Sequence, residues 1–173
     1  MKFFLMMIAL TISQVSLGDG MVRISALNGK VSILAPEGFG PMPADMLVIK
    51  YPNSRRPTEV LSNNTGSVTL AFNHTQNAMR QNQIKEAHPS ISQMIHSAYP
   101  SAEWIRDEVV EQNGASFIVM ELITPAIDTR IHNIIYGASV DNRLLLAAFN
   151  TTVEQSESWL PAGRAIMSSL KVQ

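Results

Sequence analysis

The stretch from residue 116 to residue 150 constrains the fold more than any other. It reads as three consecutive strands, 116–124, 130–139 and 144–150. Side chains alternate along a strand, so Phe117 and Val119 share one face and Ile118, Met120 and Leu122 the other. Glu121 interrupts the Phe117 face. In the third strand both faces are apolar: Leu144, Leu146 and Ala148 against Leu145, Ala147 and Phe149. That pattern predicts a central strand covered by protein on both sides. Asp141 and Asn142 tolerate left-handed backbone and predict a tight turn. Pro125 ends the first strand. A β-meander follows.

The earlier chain predicts further strands and short helices. Residues 21–27 and 30–34 read as a hairpin around Asn28 and Gly29. A turn-rich loop, PEGFGPMP, spans 36–43. Pro43 then predicts a helix start, with Ala44, Leu47 and Val48 as its buried face. Residues 58–62 and 67–74 read as a second strand pair; Val68, Leu70 and Phe72 share one face, and Thr69, Ala71 and Asn73 the other. The polar run 75–88 fits a helix or a loop. Pro89 marks a boundary, after which Ser90 caps a helix reaching Tyr99, with Ile91, Met94, Ile95 and Ala98 at helical spacing. Residues 104–112 alternate weakly, with Trp104, Arg106, Glu108 and Val110 on one face, as in a peripheral strand. Pro161 predicts the first turn of a final helix.

Composition narrows the function. The 173 residues suit one domain, taken as 19–173. Lys2 followed by the apolar run FFLMMIALTI, with Ser16 and Gly18 before Asp19, predicts a cleaved export signal over residues 1–18 and a periplasmic or secreted product. Cleavage removes one of 13 basic residues and leaves 12 against 14 acidic. No basic stripe for nucleic acid appears. No second apolar run follows, so no integral membrane span is expected after cleavage. The absence of cysteine excludes disulfides, thiolate metal sites and cysteine nucleophiles.

No motif carries chemistry. His74, His88, His96 and His132 match no short zinc spacing. Glu103, Asp107, Glu108 and Glu111 form a loose acidic cluster on a strand expected to face water. No serine sits in a nucleophile elbow, and no phosphate loop is present. No catalytic, cofactor or metal residues are therefore assigned, and no cofactor is expected. Glu121 is the polar residue that most needs a partner, because a lone buried charge costs several kcal/mol. Arg130 and Arg143 are the partners available in the meander. Phe39, Met42, Arg55 and Arg56 are contact candidates in loops.

Four stretches resemble the DcrB/Mog1/PsbP superfamily, most closely its bacterial DcrB-like branch. They are VSILAPEGFGPMP (31–43), RPTEVLSNNTGSVTLAFNHT (56–75), FIVMELITPAIDTRIHNIIYGASVDNRLLLAAFNTT (117–152), and the closing helix after Trp159, Leu160 and Pro161. The chain lacks a lipobox and the Cys-Thr variant near residue 151, which argues against a lipoprotein. The resemblance implies an α+β fold, a twisted antiparallel sheet flanked by helices on both faces in a three-layer sandwich. It also implies a partner-binding protein with no shared catalytic set. The leading expectation is a non-enzymatic exported domain that binds a protein or an envelope component. Binding would use a groove between sheet and helix, or the 36–43 and 75–88 loops. One alternative is an immunity protein or chaperone for an exported toxin. The other is a hydrolase or metal-dependent enzyme with an unrecognised site, which would require polar groups converging in one pocket; His74, His132 and a carboxylate within ligand distance would favour it.

Overall fold

The computed structural model describes residues 20–52 and 56–173. The export signal expected over 1–18 lies outside them, as does Arg55. In chain order the elements begin with β1 (Met21–Ala26), β2 (Val31–Pro36), β3 (Gly40–Pro41), α1 (Ala44–Lys50), β4 (Glu59–Ser62) and β5 (Thr69–Ala78). They continue with α2 (Ile84–Ala98), β6 (Glu103–Gln112), β7 (Ala115–Pro125), β8 (Arg130–Val140), β9 (Arg143–Thr152), α3 (Val153–Ser168) and β10 (Lys171–Val172). Seven strands form one antiparallel sheet, in the order β3-β4-β5-β9-β8-β7-β6. A small sheet, β1-β2-β10, stands apart. The fold is α+β, a large antiparallel sheet with helices on both faces, as the alternation and the resemblance imply.

The meander forms where local chemistry places it. Asp141 and Asn142 both take left-handed backbone (φ 50 and 57) and close β8 onto β9 in two residues. The faces of β7 separate as expected. Phe117 and Val119 enter a core shared with Phe72, Phe149, α3 and the small sheet. Ile118, Met120 and Leu122 pack beneath α2 with Ile84, Ile91 and Ile95. Burying each such large apolar side chain contributes about 1.5–3 kcal/mol.

Five local expectations are corrected. Pro89 does not bound a helix; it lies inside α2, on the exposed side. The helix starts earlier because Ile84 and Ala87 have core to bury against, which outweighs the single backbone hydrogen bond that a proline forfeits. Residues 75–78, left open between helix and loop, extend β5 instead. Pro161 likewise sits inside a single helix, α3, with its ring exposed while Ala162 and Gly163 are buried. In α1, Ala44 and Val48 are exposed, and Met46 and Leu47 make the packing face. In β6 the pairing shifts between Trp104 and Arg106. The bulged Ile105 is exposed, and Trp104 turns to the α2 side, away from the face of Val110. A bulge adds one residue and so reverses the alternation beyond it.

Candidate functional site

Helix coverage of the sheet is unequal. On one face α3 and the small sheet seal β9: Leu145, Ala147 and Phe149 are at most 1% exposed. On the other face α1 packs over Val60 and Ala71, and α2 over β7 and its neighbours. Between the two helices the central strands are left open. Leu146, Ala148 and Asn150 of β9 and Ile131, Asn133 and Ile135 of β8 are only half-buried. The expectation that helices cover the third strand fully on both sides therefore holds for one side. On the other side a groove of about 710 Å³ lies over β5, β9 and β8, within the usual range for ligand sites.

The sheet register arranges the groove floor in rows. Thr69, Asn150 and Asn133 are direct cross-strand neighbours, and so are Ala71, Ala148 and Ile135. The first row is hydrogen-bonded at each end and not between its two asparagines. The Asn150 amide donates to the Thr69 hydroxyl (3.0 Å), and the Asn133 amide to the Thr124 hydroxyl (3.1 Å). Asn133 also donates to the Leu122 and Ile131 carbonyls (3.2 and 2.9 Å). Two carbonyls can only accept, so they fix which end of that amide faces them. Tyr51, Ile95, Tyr99 and the 126–129 turn form the walls. Burial pushes the Tyr51 hydroxyl above its ordinary value, so it stays a neutral donor; it lies 3.5 Å from Thr69 Oγ1. Tyr99 and Ile127 stand exposed at the mouth.

A second polar cluster lies between α2 and β6. His88, Ser92 and His96 succeed one another along one helix face, opposite Asp107. His88 Nε2 is 2.7 Å from Asp107 Oδ1, Ser92 donates to the other carboxylate oxygen, and His96 stacks on Trp104. The Ser92 hydroxyl donates to the Asp107 carboxylate and not to an imidazole, so the serine–histidine pair of a nucleophilic site does not form. Among the described residues no group of three His, Cys, Asp or Glu could hold a metal ion.

Glu121 has its partners, but they are not those expected. It is 2% exposed. His132 Nε2 lies 2.7 Å from Oε1, and Arg164 on α3 reaches Oε1 at 2.6 Å and Oε2 at 3.2 Å. Burial pushes the Glu121 carboxyl up, but the hydrogen bonds and charges of Arg164 and His132 outweigh it and hold it below its ordinary value. Arg130 instead pairs with Glu103 (2.7 Å), and Arg143 donates to the Thr75 and His74 carbonyls (2.7 and 3.3 Å). The register explains this. Glu121 sits opposite Ile134, while Arg130 and the Val140 partner of Arg143 lie four and six residues away, about 13 and 20 Å along the strands. The network lies under α3, on the opposite face from the groove.

Beside His132 in the register stands Thr151. It is 1% exposed, and its hydroxyl has no hydrogen-bond partner among the described residues. A buried unpaired hydroxyl is a cost. Thr151→Val, which keeps the shape and removes that atom, should stabilise the fold by about 1 kcal/mol. Urea unfolding measures it, and a lower midpoint for the variant would show that the hydroxyl has a partner after all.

The loop candidates separate. Met42 is 7% exposed and packs with Val60 and Ala71, so it is not free to contact a partner. Phe39 is half-buried against Trp159, ring centroids 6.1 Å apart, on the α3 side. Arg56 is exposed, and its Nε donates to the Tyr51 carbonyl at 2.5 Å beside the groove. His74 bonds the Val140 carbonyl (2.9 Å). The groove residues Thr69, Asn133, Asn150, Tyr51 and Tyr99 are not among the sequence candidates. Their signal was the polar alternate face of β5 and the lone asparagines in β8 and β9.

No family model matches the sequence, and no curated protein is significantly similar to it. Solved structures share its fold. Cyanobacterial PsbP from Synechocystis superposes with a TM-score of 0.62 at 13% identity, over 94% of this chain and 98% of that one. LpqN of Mycobacterium tuberculosis, involved in cell envelope biogenesis, gives 0.53 at 8% identity, over 93% and 99%. These likenesses show a shared fold with PsbP and LpqN and do not single out the DcrB branch.

Proposed function

We propose that the chain is a non-enzymatic exported binding domain, periplasmic or secreted, that holds a protein or envelope component in the groove over β5, β9 and β8. One observation carries this reading: the central strands, which elsewhere in the sheet are sealed, keep a half-buried face of apolar and neutral polar side chains between α1 and α2. A partner would complete the burial that the fold leaves undone. The DcrB-like pattern of turns and core residues supports placement in the bacterial branch, and the role of LpqN in envelope biogenesis supports an envelope setting. The toxin-immunity or chaperone reading is the case in which the partner is an exported toxin. A toxin gene beside this one would identify it.

The His74–His132 site that would favour the enzyme alternative does not form. His74 pairs with Leu145 and His132 with Thr151, six residues apart on β9, about 20 Å. They cannot share a metal or a water.

Ala148→Phe tests the groove, because residue 148 opens into it and an added ring has space there. The variant should keep its unfolding midpoint. It should also lose at least tenfold in capture of the component that the wild-type chain retains from envelope extract. Undiminished capture by the folded variant would place binding elsewhere.

A further inference from the structure

We infer that the groove takes an uncharged, extended peptide laid over β9 and β8, its backbone on the Asn150–Asn133 pair and a side chain on the Ala148–Ile135 floor. The inference rests on the groove being the binding face.

Charge is the first argument. Among the described lining residues only Lys50 and Asp128 carry charge, both are exposed, and their signs cancel. A charged ligand would lose water and find no counter-ion inside. Hydrogen bonding is the second. The Asn133 amide nitrogen is turned to β7 and its own strand, and neither Asn133 Oδ1 nor Asn150 Oδ1 accepts a hydrogen bond from a described residue. The floor therefore offers carbonyl acceptors to a ligand that donates N–H or O–H. The third argument is the parallel arrangement of a polar row and an apolar row. An acyl chain would leave the amide row unpaired. A saccharide would set hydroxyls against Ala148 and Ile135. An extended peptide presents backbone N–H groups and side chains in turn and matches both rows. Thr69 and Thr124, at the ends of the polar row, are themselves buried, so the open acceptors are Asn150 on β9 and Asn133 on β8, neighbours about 5 Å apart, within reach of two successive residues of an extended chain.

The test uses the 15N-labelled protein and capped hexapeptides built only from Ala, Val, Leu, Ser, Thr and Asn. Matched hexapeptides carrying Glu or Lys, neutral oligosaccharides and phosphatidylcholine vesicles serve as the other arms. The expected result is that neutral hexapeptides shift the side-chain amide signals of Asn133 and Asn150. They should bind at least tenfold tighter than the charged sets, and Ala148→Phe should reduce that binding tenfold or more. Asn73→Trp, at an exposed position in the groove lining, repeats the block should Ala148→Phe fail to fold. Failure of every neutral peptide, tighter binding of charged peptides, saccharides or vesicles, or binding insensitive to both blocks overturns the inference. If the extract ligand is still lost on Ala148→Phe while no peptide binds, the peptide inference falls and the groove reading stands. If the extract ligand is kept, the groove reading itself falls.

Discussion

Arg164→Met should destabilise the fold by about 3 kcal/mol, the largest single-side-chain effect expected here. The methionine keeps an unbranched stem of similar length and removes the guanidinium. Glu121, 2% exposed, would then keep only His132 as a partner. Breaking a buried pair from one side leaves an uncompensated charge, which costs about 3–5 kcal/mol. The low end applies because the Arg164 side chain is 52% exposed and is partly solvated already. Replacing both partners, Arg164→Met with Glu121→Leu, should recover most of the loss, since the charge that needed compensation is gone. Urea unfolding of the wild type and the variants decides this. Equal stability of Arg164→Met and wild type would mean that His132 alone satisfies the carboxylate.

The same network sets an acid limit. Glu121 titrates below its ordinary 4.5 in the folded chain. A carboxylate with a depressed folded pKa contributes stability that is complete above the unfolded value and is lost as pH falls through the folded one. Wild-type stability should therefore decline below about pH 4.5. Glu121→Leu should decline less over the same interval. Parallel curves for the two proteins would show that other carboxylates govern acid unfolding.

Gly163→Ala should cost about 2 kcal/mol, although alanine is the better helix former by about 1 kcal/mol. A Cβ at residue 163 would lie 2.5, 2.7 and 2.9 Å from three carbons of the Phe149 ring. That ring is fully buried at the centre of the main core and has no free side to move to. The helix itself must then lift, and its contacts over β8 and β9 loosen. Phe149→Leu should cost stability alone yet reduce the penalty of Gly163→Ala, because the clash is with the ring. Thermal unfolding of the two single variants and the double variant gives the coupling. Strict additivity would show that the lost stability comes from elsewhere in the helix.

Alternation and turn chemistry are local, and the sequence by itself determined what depends on them. The two faces of β7, the two-residue turn at Asp141 and Asn142, and the antiparallel order of β7 to β9 were all legible. So was the need of Glu121 for a partner, because a charge inside an apolar run is expensive wherever the chain folds. The identity of that partner was not legible. Arg164 reaches Glu121 only because α3 crosses the sheet there, 43 residues along the chain. Local rules failed at both helix prolines and at the Ile105 bulge, where packing against the sheet overrode residue preference.

The groove shows the same division. Thr69, Ala71 and Asn73 could be read as the less apolar face of one strand, and Asn133 and Asn150 as lone polar residues in two others. Register brought them into adjoining rows, and the off-centre seat of α2 left those rows open. Each strand sequence sets which side chains share a face, since that follows from bond geometry alone. Which face is covered depends on where helices far along the chain find the deepest burial, and only the tertiary structure decided that.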